Sequence, residues 1–198
     1  MKVGINIMTL PNKLTLLRII LIPVMIIIFY IPWFSENFVP VLDMSWLYLI
    51  EFVIFAIASF TDFLDGYIAR KNNLITSFGK FIDPIADKML VNTMMIMFAC
   101  MGMVPVVPVI VMIWRDTIVD GLRMSTASKG VVVAAGMLGK IKTVSQMVTI
   151  ILVLLNNLPF ELLRFPMADF MLWFSMLVSV ASGFSYFMQM KEYVLETM

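Results

Sequence analysis

The sequence predicts an all-α integral membrane protein with six transmembrane helices and a short N-terminal interfacial segment. Three observations predict it. Of 198 residues, 62% are hydrophobic and only 14% are charged, whereas soluble domains are about half apolar and a quarter charged. The apolar residues gather into six runs close to the ~20 residues that cross a bilayer core. Lysine and arginine fall almost entirely on one side of the topology those runs define.

The opening "MKVGINIMTLPN", residues 1–12, reads as the interfacial segment, with Pro11 and Asn12 marking the start of the first span. The spans are expected at Lys13–Tyr30, Ser45–Arg70, Asp83–Met101, Pro105–Thr126, Lys140–Leu155 and Ala168–Met190. The first apolar run is followed by "IPWFSENF", not by a small-residue cleavage site, and reads as a retained helix. The second span, at about 26 residues or ~39 Å, carries its "TDFLDGYIAR" end to the interface or beyond. With six spans both termini share one side, and of the 14 Lys and Arg only Arg164 lies opposite. That side is therefore the cytoplasmic one. No soluble domain or internal repeat interrupts the pattern, so residues 1–198 read as a single membrane-embedded domain.

Composition narrows the chemistry. Histidine is absent, and Cys100 is the one cysteine. Histidine catalysis, His-ligated zinc, CxxC metal sites and an internal disulfide are all excluded. Acid–base or metal chemistry falls to Asp, Glu, Lys, Arg or Tyr. The 20 methionines read as adaptable packing in a helical bundle.

One stretch departs from the lipid-soluble background: "DFLDGYIARKNNLITSFGKFIDPIAD", with Asp62, Asp65, Asp83 and Asp87. The second span ends and the third begins at the cytoplasmic face, so all four carboxylates lie at similar depth. At ~100° per residue Asp65 lies ~60° from Asp62, and Gly66 and Ala69 fall on the same face. Pro84 suits either a first helical position after an Asp83 cap or a kink in a helix begun near Thr76. An ionised Asp costs about 2.5–3.5 kcal/mol at the centre of a membrane helix, and four facing one another repel. Two divalent cations would neutralise them. All-oxygen ligands suit Mg²⁺ or Mn²⁺, and paired metals recur in displacement at phosphorus. Plain Asp–Lys/Arg pairing, or an ion pathway through a cation transporter, is the competing reading.

Written out, Asp62-x2-Asp65-Gly66-x2-Ala69-Arg70-x8-Gly79-x3-Asp83-x3-Asp87 resembles the signature of the CDP-alcohol phosphotransferases at every position. The six-span layout is similar to that family as well. The resemblance implies attack of an alcohol oxygen on the β-phosphorus of a CDP-linked donor, with CMP leaving. It implies a dinuclear site held by Asp62, Asp65 and Asp83, with Asp87 as both metal ligand and base. It carries CDP-lipid contacts to Asn12, Thr15, Gly66, Arg70 and Thr76; for Asn12 a simple helix cap is the alternative.

"PNKLTLLRI", "DPIADK" and "WRDTIVDGLR…GKIKTVSQM" further resemble the bacterial branch that joins CDP-diacylglycerol to glycerol 3-phosphate. The acceptor's phosphate needs cations, and Arg115, Arg123, Lys140 and Lys142 are the candidates, with Gln146 as a hydrogen-bonding companion. Lys142, Thr143 and Gln146 are expected on one helix face. Inositol phosphate, serine or phosphatidylglycerol are the alternative acceptors. Asp116 and Asp120 read as orienting groups for Arg115 or Arg123. Gly136 and Gly139 are too close for a phosphate-loop spacing, which excludes a nucleoside triphosphate site there. Ser175, Ser179 and Gly183 form a small-residue ridge that predicts close helix packing. The resemblance also implies a homodimer in the cytoplasmic membrane, with the active site on the cytoplasmic side and no nucleic-acid partner.

Overall fold

A backbone inside a bilayer must satisfy its own N–H and C=O groups, which restricts an apolar chain of this kind to helices. The computed structural model describes residues 10–39, 44–71, 76–128, 130 and 136–195. It has long helices α1 (Leu10–Phe29), α3 (Trp46–Lys71), α4 (Ser77–Cys100), α5 (Val106–Ser128), α6 (Met137–Leu154) and α7 (Met167–Leu195). A short α2 (Pro32–Glu36) and a two-residue antiparallel hairpin, β1 (Phe38–Val39) with β2 (Met44–Ser45), link α1 to α3. Among the described residues, α1, α6 and α7 contain stretches long and apolar enough to cross a membrane, at Pro11–Phe29, Met137–Leu154 and Met167–Lys191.

The six long helices overlap in sequence the six stretches expected as spans, with two instructive shifts. Helix α1 begins at Leu10, so Pro11 and Asn12 lie in its first turn. Residues 1–9 lie outside the described residues. Helix α4 begins at Ser77, six residues before the expected start at Asp83. The Thr76 hydroxyl accepts the Gly79 backbone N–H at 3.0 Å, the capping bond that satisfies a first-turn donor. Pro84 therefore sits inside a helix already under way.

The chain divides into two compact units, residues 1–94 and 95–198. In the first, α1 lies along α3. The buried face of α1 runs Pro11, Asn12, Thr15, Arg18, Ile22, Met25 and Phe29, polar over its first turns and apolar beyond. Leu17, Ile20 and Ile27 are exposed on the other face, as expected where the surroundings are lipid.

In the second unit, α7 packs on both α5 and α6. Its interior is unusually polar: Asp116, Lys142, Ser145, Gln146, Thr149, Ser175, Ser179 and Ser182 are all buried. Lipid tails are as apolar as leucine, so such helices associate through close packing and interhelical hydrogen bonds. Ser175 and Thr149 place their hydroxyls 3.4 Å apart across α7 and α6. The ridge Ser175–Ser179–Gly183 is thus packed inside its own chain. After α6, Asn156 and Asn157 adopt φ of 51° and 61°, a region asparagine tolerates better than most residues. The Asn157 side chain donates to the Phe165 carbonyl at 2.7 Å and accepts the Ala168 N–H at 3.0 Å, tying the connection to the start of α7.

Candidate active site

Two polar clusters emerge, one in each unit. The first is built around Arg18, which is completely buried. Its Nη1 donates to Asp87 Oδ1 at 2.7 Å and lies 3.1 Å from Asp62 Oδ1. Its Nε donates to the Ala58 carbonyl at 3.2 Å. One guanidinium from α1 therefore bridges α3 and α4, and two of the signature carboxylates converge on a single nitrogen. One turn earlier on α1, the Thr15 hydroxyl donates to Asp83 Oδ1 at 2.7 Å, with the Pro11 carbonyl at 3.2 Å as a second acceptor.

A further turn back, Asn12 Oδ1 accepts the Thr76 hydroxyl at 2.9 Å. Asn12 thus acts within the helix as a link to the start of α4, not as a cap. Gly79 closes this corner: a Cβ there would stand 3.2 Å from both Asn12 Oδ1 and Thr76 Oγ1 and 3.5 Å from Asp83 Oδ2. Gly66 lies on α3, half-buried. The side chains of Asp65 and Arg70 lie outside the described residues.

The donor set fits a hard divalent cation. Asp62, Asp83 and Asp87 offer oxygen ligands only, and the side chains of Asp62 and Asp87 remain 33% and 38% exposed. Among the described residues, no three acidic side chains are gathered as closely as a bound ion would gather them; Arg18 occupies the point of convergence.

The second cluster joins α5, α6 and α7. Asp116, 4% exposed, receives Arg115 Nη1 at 2.9 Å through Oδ1 and the Lys142 ammonium in a close pair through Oδ2. Arg115 also donates from Nε to the Ser179 carbonyl at 3.1 Å and from Nη2 to the Ser182 hydroxyl. Of the acceptor-side candidates, the structure brings Arg115 and Lys142 together. Arg123 and Lys140 lie exposed on α5 and α6. Gln146 is buried with Nε2 on the Met112 sulfur at 3.1 Å. Thr143 is exposed and bonded to the Gly139 carbonyl, so the polar face of α6 is Lys142–Ser145–Gln146–Thr149 and not Lys142–Thr143–Gln146.

The family model for CDP-alcohol phosphatidyltransferases matches residues 8–181. The chain belongs to this family. Among its relatives, the CDP-diacylglycerol–glycerol-3-phosphate 3-phosphatidyltransferase of Bacillus subtilis is 47% identical over 184 residues, 90% of this chain and 93% of the relative. Proteins of the same name from Rickettsia felis and Salmonella choleraesuis are each 37% identical, over 93% and 71% of this chain and 96% and 74% of theirs.

As a CDP-alcohol phosphatidyltransferase the chain carries its signature on α3 and α4, but the group that organises the described carboxylates comes from α1. In the sequence Arg18 stands only among the cytoplasmic-side cations and within "PNKLTLLRI", with no site role assigned to it. The signal was present: Asn12, Thr15 and Arg18 are spaced i, i+3, i+6 on an otherwise apolar helix, and an intramembrane arginine implies an acidic partner. Ser182 and Tyr186 were also missed, although with Ser175 and Ser179 they form one buried stripe spaced i, i+4, i+7, i+11 along α7.

Proposed function

We propose that this protein transfers the phosphatidyl group from CDP-diacylglycerol to glycerol 3-phosphate, releasing CMP and forming phosphatidylglycerophosphate. The observation that carries this reading is the near-full-length similarity to the Bacillus subtilis enzyme of that specificity. The signature carboxylates, and an arginine–lysine pair suited to an acceptor phosphate, support it. All six long helices cross the cytoplasmic membrane in this reading, with both termini and the active site on the cytoplasmic side. The distribution of Lys and Arg supports that orientation. Family resemblance supports a homodimer.

Asp62, Asp65, Asp83 and Asp87 would hold two divalent cations, Mg²⁺ or Mn²⁺. Bound there, the cations supply charge stabilisation at the donor's diphosphate and make the acceptor hydroxyl more acidic. Asp87 takes the proton of that hydroxyl, since no histidine is available and a carboxylate is the base at hand. Arg18 holds Asp62 and Asp87 in register while leaving part of each carboxyl open. Asn12, Thr15, Gly66, Arg70 and Thr76 bind the CDP moiety, with Gly79 leaving room beside Asn12 and Thr76. Arg115 and Lys142 bind the acceptor's phosphate, where the planar guanidinium offers a fork and the ammonium a point charge; Arg123, Lys140 and Gln146 complete this side.

The test is CMP release by the purified protein in detergent with CDP-diacylglycerol, Mg²⁺ and a panel of alcohols. Release with glycerol 3-phosphate alone, abolished by EDTA, is the expected result. Release with inositol phosphate, serine or phosphatidylglycerol instead would replace the acceptor. No release with any alcohol, together with metal flux into proteoliposomes, would replace the enzyme by a transporter.

A further inference from the structure

Tyr186 is buried on α7 where the three helices of the second unit meet. Its hydroxyl oxygen accepts the backbone N–H of Gly136 at 2.8 Å, and Gly136 is the residue from which α6 starts. A Cβ at Gly139 would stand 3.4 Å from the same oxygen, so the hydroxyl lies directly against the first turn of α6. The Tyr186 ring faces Arg115, whose Cζ lies 5.5 Å from the ring centroid, within the range of a cation–π contact. At Gly183, one turn back on α7, a Cβ would stand 3.0 Å from Arg115 Cγ. The arginine stem therefore crosses α7 through the gap that glycine leaves, and its head comes to rest against the tyrosine ring.

A guanidinium has five N–H donors. Among the described residues, Arg115 directs one each to Ser179, Asp116 and Ser182, which leaves one N–H on each terminal nitrogen for another acceptor. Asp116 carries the constraint on to Lys142. Lys142 lies less than two turns beyond Gly136 on α6, so its position depends on where α6 begins. One side chain touches both determinants: the ring sets the plane of Arg115 and the hydroxyl sets the start of the helix that carries Lys142.

We propose that Tyr186 is a positioning residue for recognition of the acceptor's phosphate. The inference rests on the reading of Arg115 and Lys142 as the phosphate-binding pair. A phosphate bound by two cations from different helices requires their separation to be fixed before it arrives; otherwise the cost of ordering them is taken from its affinity. Tyr186 fixes that separation without itself touching the acceptor. Its loss is therefore felt in acceptor binding and not in donor binding, beyond the small stability lost with any buried hydrogen bond.

The experiment uses the full chain, purified in detergent, with CDP-diacylglycerol and Mg²⁺. CMP release gives the KM of each substrate, and inorganic phosphate is titrated as a competitor of glycerol 3-phosphate. Tyr186→Phe removes the hydroxyl and keeps the ring, and Tyr186→Leu removes both. Tyr186→Phe is expected to raise the glycerol 3-phosphate KM about three- to tenfold, the effect of one hydrogen bond. The inhibition constant of phosphate rises in parallel, with the CDP-diacylglycerol KM unchanged and Tm lowered only slightly, as the loss of one hydrogen bond requires. Tyr186→Leu raises the acceptor KM further. Combined with Lys142→Met, Tyr186→Phe adds little.

Lys142→Met and Arg115→Ala are measured alongside. If neither moves the acceptor KM, the phosphate-site reading fails and takes the inference with it. If they raise it while Tyr186→Phe does not, the inference alone is overturned. A fall in Tm with both KM values unmoved would assign Tyr186 to packing and overturn it as well. Tyr186→Phe decides the question even where the leucine variant does not fold.

Discussion

Arg18 and Asp87 form a 2.7 Å ion pair between α1 and α4, with the guanidinium fully buried and the carboxylate still 38% exposed. The same nitrogen stands 3.1 Å from Asp62. An arginine in the first helix thus organises a carboxylate motif that lies wholly in the next two long helices. It allows acidic side chains to face one another without mutual repulsion deciding their positions.

Replacing Arg18 by Gln should therefore destabilise the protein in a metal-dependent way. Breaking a fully buried pair costs about 3–5 kcal/mol, and partial exposure of the two carboxylates brings the cost toward or below the lower end. Thermal unfolding in detergent should begin at lower temperature in EDTA, and Mg²⁺ should restore part of the loss by supplying the missing positive charge to the folded state. An equal loss with and without Mg²⁺ would show that the carboxylates do not take up the cation in that variant.

Asp87→Asn should nearly abolish CMP release while CDP-lipid binding persists. The amide keeps the size of the carboxyl but cannot accept the hydroxyl proton, and it weakens the bond to Arg18. Near-normal turnover in this variant would remove Asp87 as the base.

At Gly79 two effects oppose each other. Alanine in a helix is favoured over glycine by about 1 kcal/mol, but its Cβ would press to 3.2 Å on both Asn12 Oδ1 and Thr76 Oγ1. The expected outcome of Gly79→Ala is a Tm close to that of the parent with a several-fold higher KM for CDP-diacylglycerol. An unchanged KM would show that the Asn12–Thr76 link is not part of the donor site.

What could be read from sequence divides along physical lines. The long helices were legible because apolar runs of membrane length leave few alternatives, and the signature spacing led directly to Asp62, Asp83 and Asp87. Where α4 begins was not legible. Thr76 and Asp83 both make plausible caps, and the choice rests on the Thr76–Gly79 and Thr76–Asn12 bonds, the second of which spans distant parts of the chain. Periodicity aligned Thr143 with Lys142 and Gln146, but α6 turns Thr143 outward and buries Ser145 and Thr149. The spacing did carry the buried face: at ~100° per residue Lys142, Ser145, Gln146 and Thr149 fall on one side of α6, whereas Thr143 lies ~100° from Lys142 at its margin. The Ser175–Ser179–Gly183 ridge was legible as close packing. That Gly183 makes room for an arginine was not, because Arg115 lies on another helix.

Asp116 provides the sharpest separation of stability from acceptor recognition. It is one buried carboxylate shared by two cations, and Lys142 is itself only 6% exposed. In Asp116→Asn one oxygen still faces Arg115, but an amide N–H₂ replaces the oxygen that faced the ammonium. The loss from a buried pair broken on one side is about 3–5 kcal/mol, together with an acceptor KM raised by about tenfold or more. Adding Lys142→Met removes the ammonium and fills its place with an apolar side chain of similar length. In the double variant thermal stability should recover while the KM for glycerol 3-phosphate stays high, since the phosphate has lost one of its two cations. Recovery of both would make the Asp116–Lys142 pair a packing device with no part in acceptor binding. Recovery of neither would show that the stability lost in Asp116→Asn comes from its bond to Arg115 instead.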